Sequence, residues 1–190
     1  MSKIGTQPII ATQINFKFKD TMGLLPLFAL DETGYKKIIE LSSKSYLYNN
    51  ETSDPHLNIE DLFQLDNTGI SIFSGTVLGL FGKLFDKGKF LEITDLYNRL
   101  GKSFGDRFYI EMQRHNDQNE LDFEKFNLTQ SINLKIPIIA TNEVFYLDKD
   151  MHEAHDALIC IGNKTYVNEK SRIRLSNQHY YKSNSEMTEL

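Results

Sequence analysis

The chain has 190 residues, of which 40% are hydrophobic and 25% charged, an ordinary composition for one globular domain. Its formal net charge of −5 argues against a surface that binds nucleic acid by itself, because phosphate binding normally leaves a basic footprint. The single cysteine excludes an internal disulfide framework. The sequence shows neither an apolar run long enough for a membrane span nor a signal-peptide core, so we expect a cytoplasmic protein without membrane contact.

Strands and helices alternate along the chain, which is typical of an α/β fold. The predicted strands are residues 8–18, 24–30, 70–73, 107–112 and 136–141. The predicted helices are residues 31–47, 77–85, 90–100, 121–134, 150–161 and a run in 183–190. Residues 20–23 are predicted as a turn and residues 48–58 as a surface loop, since turn-forming residues cluster there.

Three predictions concern burial. On the first long helix, Ile38, Ile39 and Leu41 are expected to face inward. The strand 136–141 is apolar without interruption, the pattern of a parallel strand covered on both faces. Cys160 lies in the apolar run ALICI, which indicates a buried, inert thiol.

Five stretches, taken together and in order, resemble one known family. They are GTQPIIATQINF at residues 5–16, LLPLFALDETGYKKIIELSSKSYL at 24–47, ISIFSG at 70–75, FYIEMQRHN at 108–116, and the segment from ATNEV to RIRL at 140–175. They resemble the polymerase-and-histidinol-phosphatase (PHP) domain of the bacterial DNA polymerase III alpha subunit. The resemblance implies an incomplete (βα)7-like barrel with mostly parallel strands.

The resemblance also implies how the chain is organised. Residues 1–175 would be the later part of a PHP domain whose early metal motifs are missing, and residues 176–190 would begin a connection toward the polymerase core. The palm aspartates that carry nucleotidyl transfer, with their Mg²⁺ ions, would lie outside this chain. No residue here is therefore expected to be catalytic for that reaction.

An active PHP site resembles a cluster of three metal ions that activates water for phosphate hydrolysis. By the resemblance, the candidate remnants of its ligand set are Glu111, His115 and Glu143, the lost ligand positions are Gln13 and Phe145, and further site-facing residues are Asn142 and His155. A neutral amide is a poor ligand for a hard cation, and a phenyl ring is none. We therefore expect no full metal cluster and no cofactor in this part, with residual Zn²⁺ or Mn²⁺ binding as the alternative.

Several of these residues have a plainer interpretation. Glu111 is also compatible with a polar strand face, His115 with a strand cap, and Asn142 with fixing a turn. His152 and His155 share a helix face, but their spacing is not that of the zinc-protease motif H-E-x-x-H, and His152 is expected in solvent. Arg172 and Arg174 could contact phosphate, although an exposed R-x-R is more often a solvated edge.

The resemblance implies a part of a replicative DNA polymerase in which this domain is an inactive scaffold. Its expected partner is the epsilon proofreading exonuclease subunit, with other polymerase III holoenzyme subunits and DNA bound through the parent chain. The alternatives are a stand-alone metal-dependent PHP phosphoesterase, against which Gln13 and Phe145 argue, and a pure interaction module.

Overall fold

The computed structural model describes residue 5, residues 7–47 and residues 53–190. Within these ranges, six strands form one open sheet with the order β3-β1-β2-β4-β5-β6. The strands are β1 (Ala11–Phe18), β2 (Thr21–Ala29), β3 (Leu57–Asn58), β4 (Ile70–Phe73), β5 (Phe108–Met112) and β6 (Ile138–Ala140). Three of the five pairings are parallel, β1 with β3, β4 with β5 and β5 with β6. The predicted α/β class, with a mostly parallel and unclosed barrel-like sheet, is confirmed.

The helices of the described ranges lie between and after these strands. They are α1 (Glu32–Leu47), α2 (Ile59–Gln64), α3 (Leu80–Asp86), α4 (Phe90–Phe104), α5 (Glu120–Leu134), α6 (His152–Asn163) and α7 (Asn184–Glu189). None of them is both long and apolar enough to cross a membrane. Short 3-10 turns precede β5 and α6.

The antiparallel β1–β2 hairpin begins the sheet. Phe18 pairs with Thr21, so the loop between them is Lys19 and Asp20 alone, and Lys19 has a φ of 54°. Two-residue hairpin loops require such left-handed backbone. The predicted turn at residues 20–23 was therefore too long, because Thr21 to Gly23 already belong to β2.

Helix α1 packs at its first turn against Gly69, the residue that precedes β4. The Asp31 carboxylate accepts a hydrogen bond from the Gly34 N–H at 2.8 Å, which caps the first turn. Gly34 packs on Gly69, where an added Cβ would lie 1.8 Å from the Gly69 carbonyl oxygen. Only glycine at position 34 allows the helix to come this close to Gly69. In this position the helix buries Ile38 and Leu41 in the core.

Ile39 does not follow them, since its side chain is 47% exposed. Ile38 and Leu41 are three residues apart and share a helix face, whereas Ile39 is rotated by about 100° toward solvent. The inward prediction for Ile39 was therefore wrong.

The core lies between the sheet and helices α1, α3, α4 and α5, and its members come from residues 14–136. At its centre are fully buried aromatic side chains, Phe16, Tyr97, Phe81, Phe104 and Phe108. Beyond Ile136, the buried apolar side chains in the described part are Tyr146 and Cys160. The segment after β6 is therefore held mainly by polar contacts.

Two segments were mispredicted for related reasons. Of the expected loop at 48–58, residues 48–52 lie outside the described residues, and Leu57–Asn58 form β3 by pairing with β1. Strand β6 is not covered on both faces: it is the last strand of the sheet, and Ile138 is 39% exposed. In both cases the error concerns the position of a strand in the sheet, which depends on pairing between segments that are distant in sequence.

Candidate functional site

The candidate site lies where three parallel neighbours end. Strands β4, β5 and β6 pair in parallel, so their carboxyl ends meet at one edge of the sheet, the usual place for a site in an α/β fold. The segments that follow them carry Ser74, His115 and Asn142. The chain after α6 returns to this edge, where Tyr146 forms a parallel bridge with Tyr180.

Glu111 is near the end of β5 and is buried, at 5% exposure. Its Oε1 accepts hydrogen bonds from the Thr141 hydroxyl and from Gln113 Nε2 at 3.3 Å. Its Oε2 has no hydrogen-bond partner among the described residues. Burial raises the pKa of Glu111, and the two hydrogen bonds oppose that rise only partly. The Glu111 side chain is therefore buried rather than exposed on a solvated strand face.

His115 is almost fully buried, and its position is set by two polar partners. Its backbone N–H donates to the Glu120 carboxylate at 2.8 Å, and its Nε2 lies 2.9 Å from Asn142 Oδ1. Burial lowers the pKa of His115. Asn142 also donates from Nδ2 to the Tyr180 carbonyl at 2.7 Å. Asn142 therefore joins distant segments, whereas the sequence suggested that it fixes a local turn.

His179 is the functional candidate that sequence reasoning missed. Its ring stacks on that of His115, with centroids 4.0 Å apart and planes 12° apart. Its Nδ1 lies 3.1 Å from the Glu143 carbonyl oxygen, and its own carbonyl accepts from the Phe145 N–H at 2.9 Å. Burial, followed by the neighbouring His115, lowers the pKa of His179. Its surroundings in the sequence, QHYYKS, have no ligand spacing that would have drawn attention to it.

A cleft of about 220 Å³ brings together residues that the resemblance had singled out separately. Gln13, Glu143 and Phe145 line it, together with His179. Phe145 is exposed at 45%, and its ring stacks on His155 at 5.3 Å between centroids and lies 5.1 Å from the His179 ring. Glu111 lines a separate small pocket beside Glu120.

The metal set implied by the resemblance does not fit these residues. The phenyl ring of Phe145 packs against the imidazoles of both His155 and His179, at a position where the resemblance would need a ligand atom. Gln13 presents a neutral amide to the same cleft. The phenyl ring supplies neither a charge nor a lone pair, and the amide oxygen supplies lone pairs without the negative charge that would help to hold a trinuclear cluster.

Two residues expected in solvent are not there. His152 is mostly shielded, and its Nε2 lies 2.9 Å from the Leu175 carbonyl oxygen. Arg172 forms a two-pronged ion pair with Asp156, in which the two side chains are only 6% and 2% exposed. Arg172 therefore ties the segment after α6 back to that helix, while Arg174 is half exposed beside Glu153.

Comparison with known proteins agrees with the fold and the motifs. The PHP domain family model matches residues 1–115. This chain belongs to the PHP domain family.

Several curated relatives of this PHP domain carry the name DNA polymerase III subunit alpha. The protein of Rickettsia conorii is 35% identical over 192 residues, which cover 99% of this chain and 16% of that protein. The Caulobacter vibrioides protein is 32% identical over 166 residues, 87% of this chain and 14% of that protein. The Vibrio cholerae protein is 28% identical over 190 residues. The chain thus spans about one sixth of the length of such relatives.

Proposed function

We propose that this PHP domain belongs to a bacterial replicative DNA polymerase and that it works there as a scaffold without hydrolytic activity. The polymerase assignment is supported by the relatives named DNA polymerase III subunit alpha, which match along nearly all of this chain. The parent protein would add deoxynucleotides to a primer on a DNA template, using Mg²⁺ ions bound elsewhere in its chain.

The loss of hydrolysis rests on one observation, the position of Phe145. Its ring lines the cleft and packs against both His155 and His179, and an aromatic hydrocarbon neither coordinates a cation nor activates water. The cleft walls add an amide from Gln13 and a single carboxylate from Glu143. This set is too poor in donors for two or three ions.

The proposed scaffold role has the epsilon proofreading exonuclease as its partner. Support comes from helix α6 and the segment after it, which expose large apolar side chains without a covering element in the described structure. They are Leu158, Ile161, Tyr166, Val167 and Ile173. Leu158 and Ile161 are three residues apart and share one face of α6, and exposed apolar groups of this kind mark partner surfaces.

Metal counting and hydrolysis test the loss of activity. The full natural gene product is titrated with Zn²⁺ and Mn²⁺ in a calorimeter and assayed with a phosphomonoester. We expect fewer than two ions per molecule and no metal-dependent hydrolysis. The double variant Gln13→Glu, Phe145→His is expected to bind at least one additional ion. Tight binding of two or three ions by the natural protein, with hydrolysis, would instead support the metal-dependent phosphoesterase.

The partner is tested on the same protein by size-exclusion chromatography with the exonuclease subunit of the same organism. Replacing Leu158 and Ile161 by aspartate is expected to weaken the complex at least tenfold. The matched control is Leu91→Asp, which changes an exposed leucine on α4. Equal binding by all three proteins would show that this face of α6 is not the docking surface.

A further inference from the structure

The stacked pair of His115 and His179 presents two ring nitrogens whose protonation can be read from their neighbours. Asn142 donates from Nδ2 to the Tyr180 carbonyl, and a carbonyl oxygen can only accept. The amide oxygen of Asn142 therefore faces His115 Nε2 at 2.9 Å. Since that oxygen is also only an acceptor, Nε2 carries the proton, and the neutral ring of His115 keeps its lone pair on Nδ1.

The same reasoning applies to His179. Its Nδ1 lies 3.1 Å from the Glu143 carbonyl oxygen, so Nδ1 carries the proton and Nε2 carries the lone pair. His179 is 2% exposed, and its Nε2 is buried with no hydrogen-bond partner in the described part of the chain. A buried acceptor without a donor is costly, and it points to a ligand that the protein atoms alone do not supply.

A carboxylate joins the two imidazoles. One ligand atom from each of His115, Asp117 and His179 lies within 4.8 Å of the others. The loop that carries His115 and Asp117 is held by Glu120, whose buried carboxylate accepts from the backbone N–H groups of residues 115, 116 and 117. The three donors are thus presented by a fixed loop and by a segment that docks on it.

We propose that His115, Asp117 and His179 bind one divalent transition-metal ion of the Zn²⁺ type. Two imidazoles and one carboxylate are a ligand set that Zn²⁺ accepts in tetrahedral geometry, with the fourth position left to water. Ligand atoms around such an ion are about 3.4 Å apart, and an imidazole holds its ion in the plane of its own ring. The rings of His115 and His179 stack with their planes 12° apart, so one ring must turn out of the stack on binding while the loop and the segment approach. Metal-bound histidines typically donate their other N–H to a carbonyl group, which is what Asn142 and Glu143 provide here.

This site differs from the cluster that the family resemblance implies. Asp117 and His179 lie outside the positions that the resemblance assigned to metal, and the phenyl ring of Phe145 does not separate His115 from His179. One ion here would join the loop after β5 to residues 176–183. The inference stands independently of the proposed scaffold function, since one structural ion is compatible with lost hydrolysis.

A nearby positive charge opposes the ion. Lys182 donates from Nζ to Asn142 Oδ1 at 3.0 Å, and its ammonium group is largely buried with the site. Asp117 supplies the opposite charge within the ligand set. Because like charges repel more strongly in a poorly solvated site, Lys182→Met is expected to tighten binding of the cation.

The test is a titration of the full natural gene product, stripped of metal with a chelator, with Zn²⁺ by calorimetry and with Co²⁺ by visible absorption. One ion per molecule is expected, with the absorption of a tetrahedral Co²⁺ site. His179→Gln and Asp117→Asn are each expected to weaken binding at least tenfold. His152→Gln, which changes a histidine of α6 outside the cluster, is the matched control and should bind like the natural protein.

Circular dichroism shows whether each variant is folded, and Asp117→Asn keeps the shape of the side chain if His179→Gln does not fold. Absence of binding by Zn²⁺ and Co²⁺, or binding that neither substitution weakens, would overturn the proposal. Two or three ions, one of them lost in His179→Gln, would support this site and contradict the proposed loss of the family's cluster. The two proposals can therefore fail separately.

Discussion

Glu111 is a carboxyl group whose surroundings disfavour its charged form. Its carboxyl group is buried beside a hydroxyl and an amide, with no cationic partner among the described residues at hydrogen-bond distance. Its pKa is raised mainly by burial and further by Glu143. The folded protein therefore holds this proton to higher pH than the unfolded chain, whose ordinary pKa is 4.5.

This difference makes stability depend on pH with a definite sign. Above pH 4.5 the unfolded chain loses the proton first, so the contribution of Glu111 to the free energy of unfolding falls as pH rises through the higher folded pKa. Glu111→Gln is expected to remove that fall, by up to about 1.4 kcal/mol per pH unit. Urea unfolding between pH 4 and pH 8 measures it. Glu32→Gln, an exposed carboxylate on α1, is the control, and parallel curves for all three proteins would contradict the assignment.

The site residues differ in how far the sequence could predict them. Glu111 is the next-to-last residue of β5, and His115 and Asn142 lie within three residues of a strand end, so their neighbourhood could be predicted from strand ends alone. His179 could not, because its position depends on backbone contacts between segments more than thirty residues apart, such as Phe145 N–H to the His179 carbonyl. Asp117 could have been noticed from the sequence, because it is a carboxylate two residues after His115 in the loop that follows β5. The family resemblance did not point to it.

Elements were predicted best where local pattern and burial agree. Strand β4 coincides with the predicted residues 70–73, and α5 begins within one residue of its prediction. Helix α2 was missed although its start carries a cap, the Asn58 N–H donating to Asp61 at 2.9 Å. Strand β3 has only two residues and is defined by its pairing with β1. The local sequence gives no indication of that pairing.

A buried polar pair joins α4 to α5. The Tyr97 hydroxyl donates to Asn127 Oδ1 at 3.0 Å, and both side chains are buried. Tyr97→Phe is expected to lower the free energy of unfolding by about 1–3 kcal/mol, because Asn127 would keep a buried amide oxygen without a donor. Chemical denaturation followed by circular dichroism measures the change.

The double variant Tyr97→Phe, Asn127→Leu provides the internal control for this pair. Removing both polar partners is expected to recover most of the lost stability, since no unpaired polar group remains. If the double variant were less stable than Tyr97→Phe by the full cost of Asn127→Leu, the two side chains would be energetically independent and the interpretation would be wrong.

At the scale of the molecule, the described chain has a densely packed part and a thinly packed part. The core cluster draws its members from residues 14–136. The part after β6 is fastened by polar contacts, among them the Arg172–Asp156 ion pair and the hydrogen bond from Asn142 to the Tyr180 carbonyl. Individual polar contacts add little net stability compared with a large buried apolar area, so the second part should open more readily than the sheet.

Hydrogen exchange followed by mass spectrometry can measure this difference in the full natural gene product. Peptides from β1, β2, β4 and β5 should exchange only with global unfolding, whereas those from residues 164–190 should exchange faster through local opening. Because a bound ion stabilises the state that binds it, Zn²⁺ should slow exchange at residues 176–183 in the natural protein and not in His179→Gln. Uniform protection along the chain would contradict the division into two parts. Slowing that persists in His179→Gln would place the ion elsewhere.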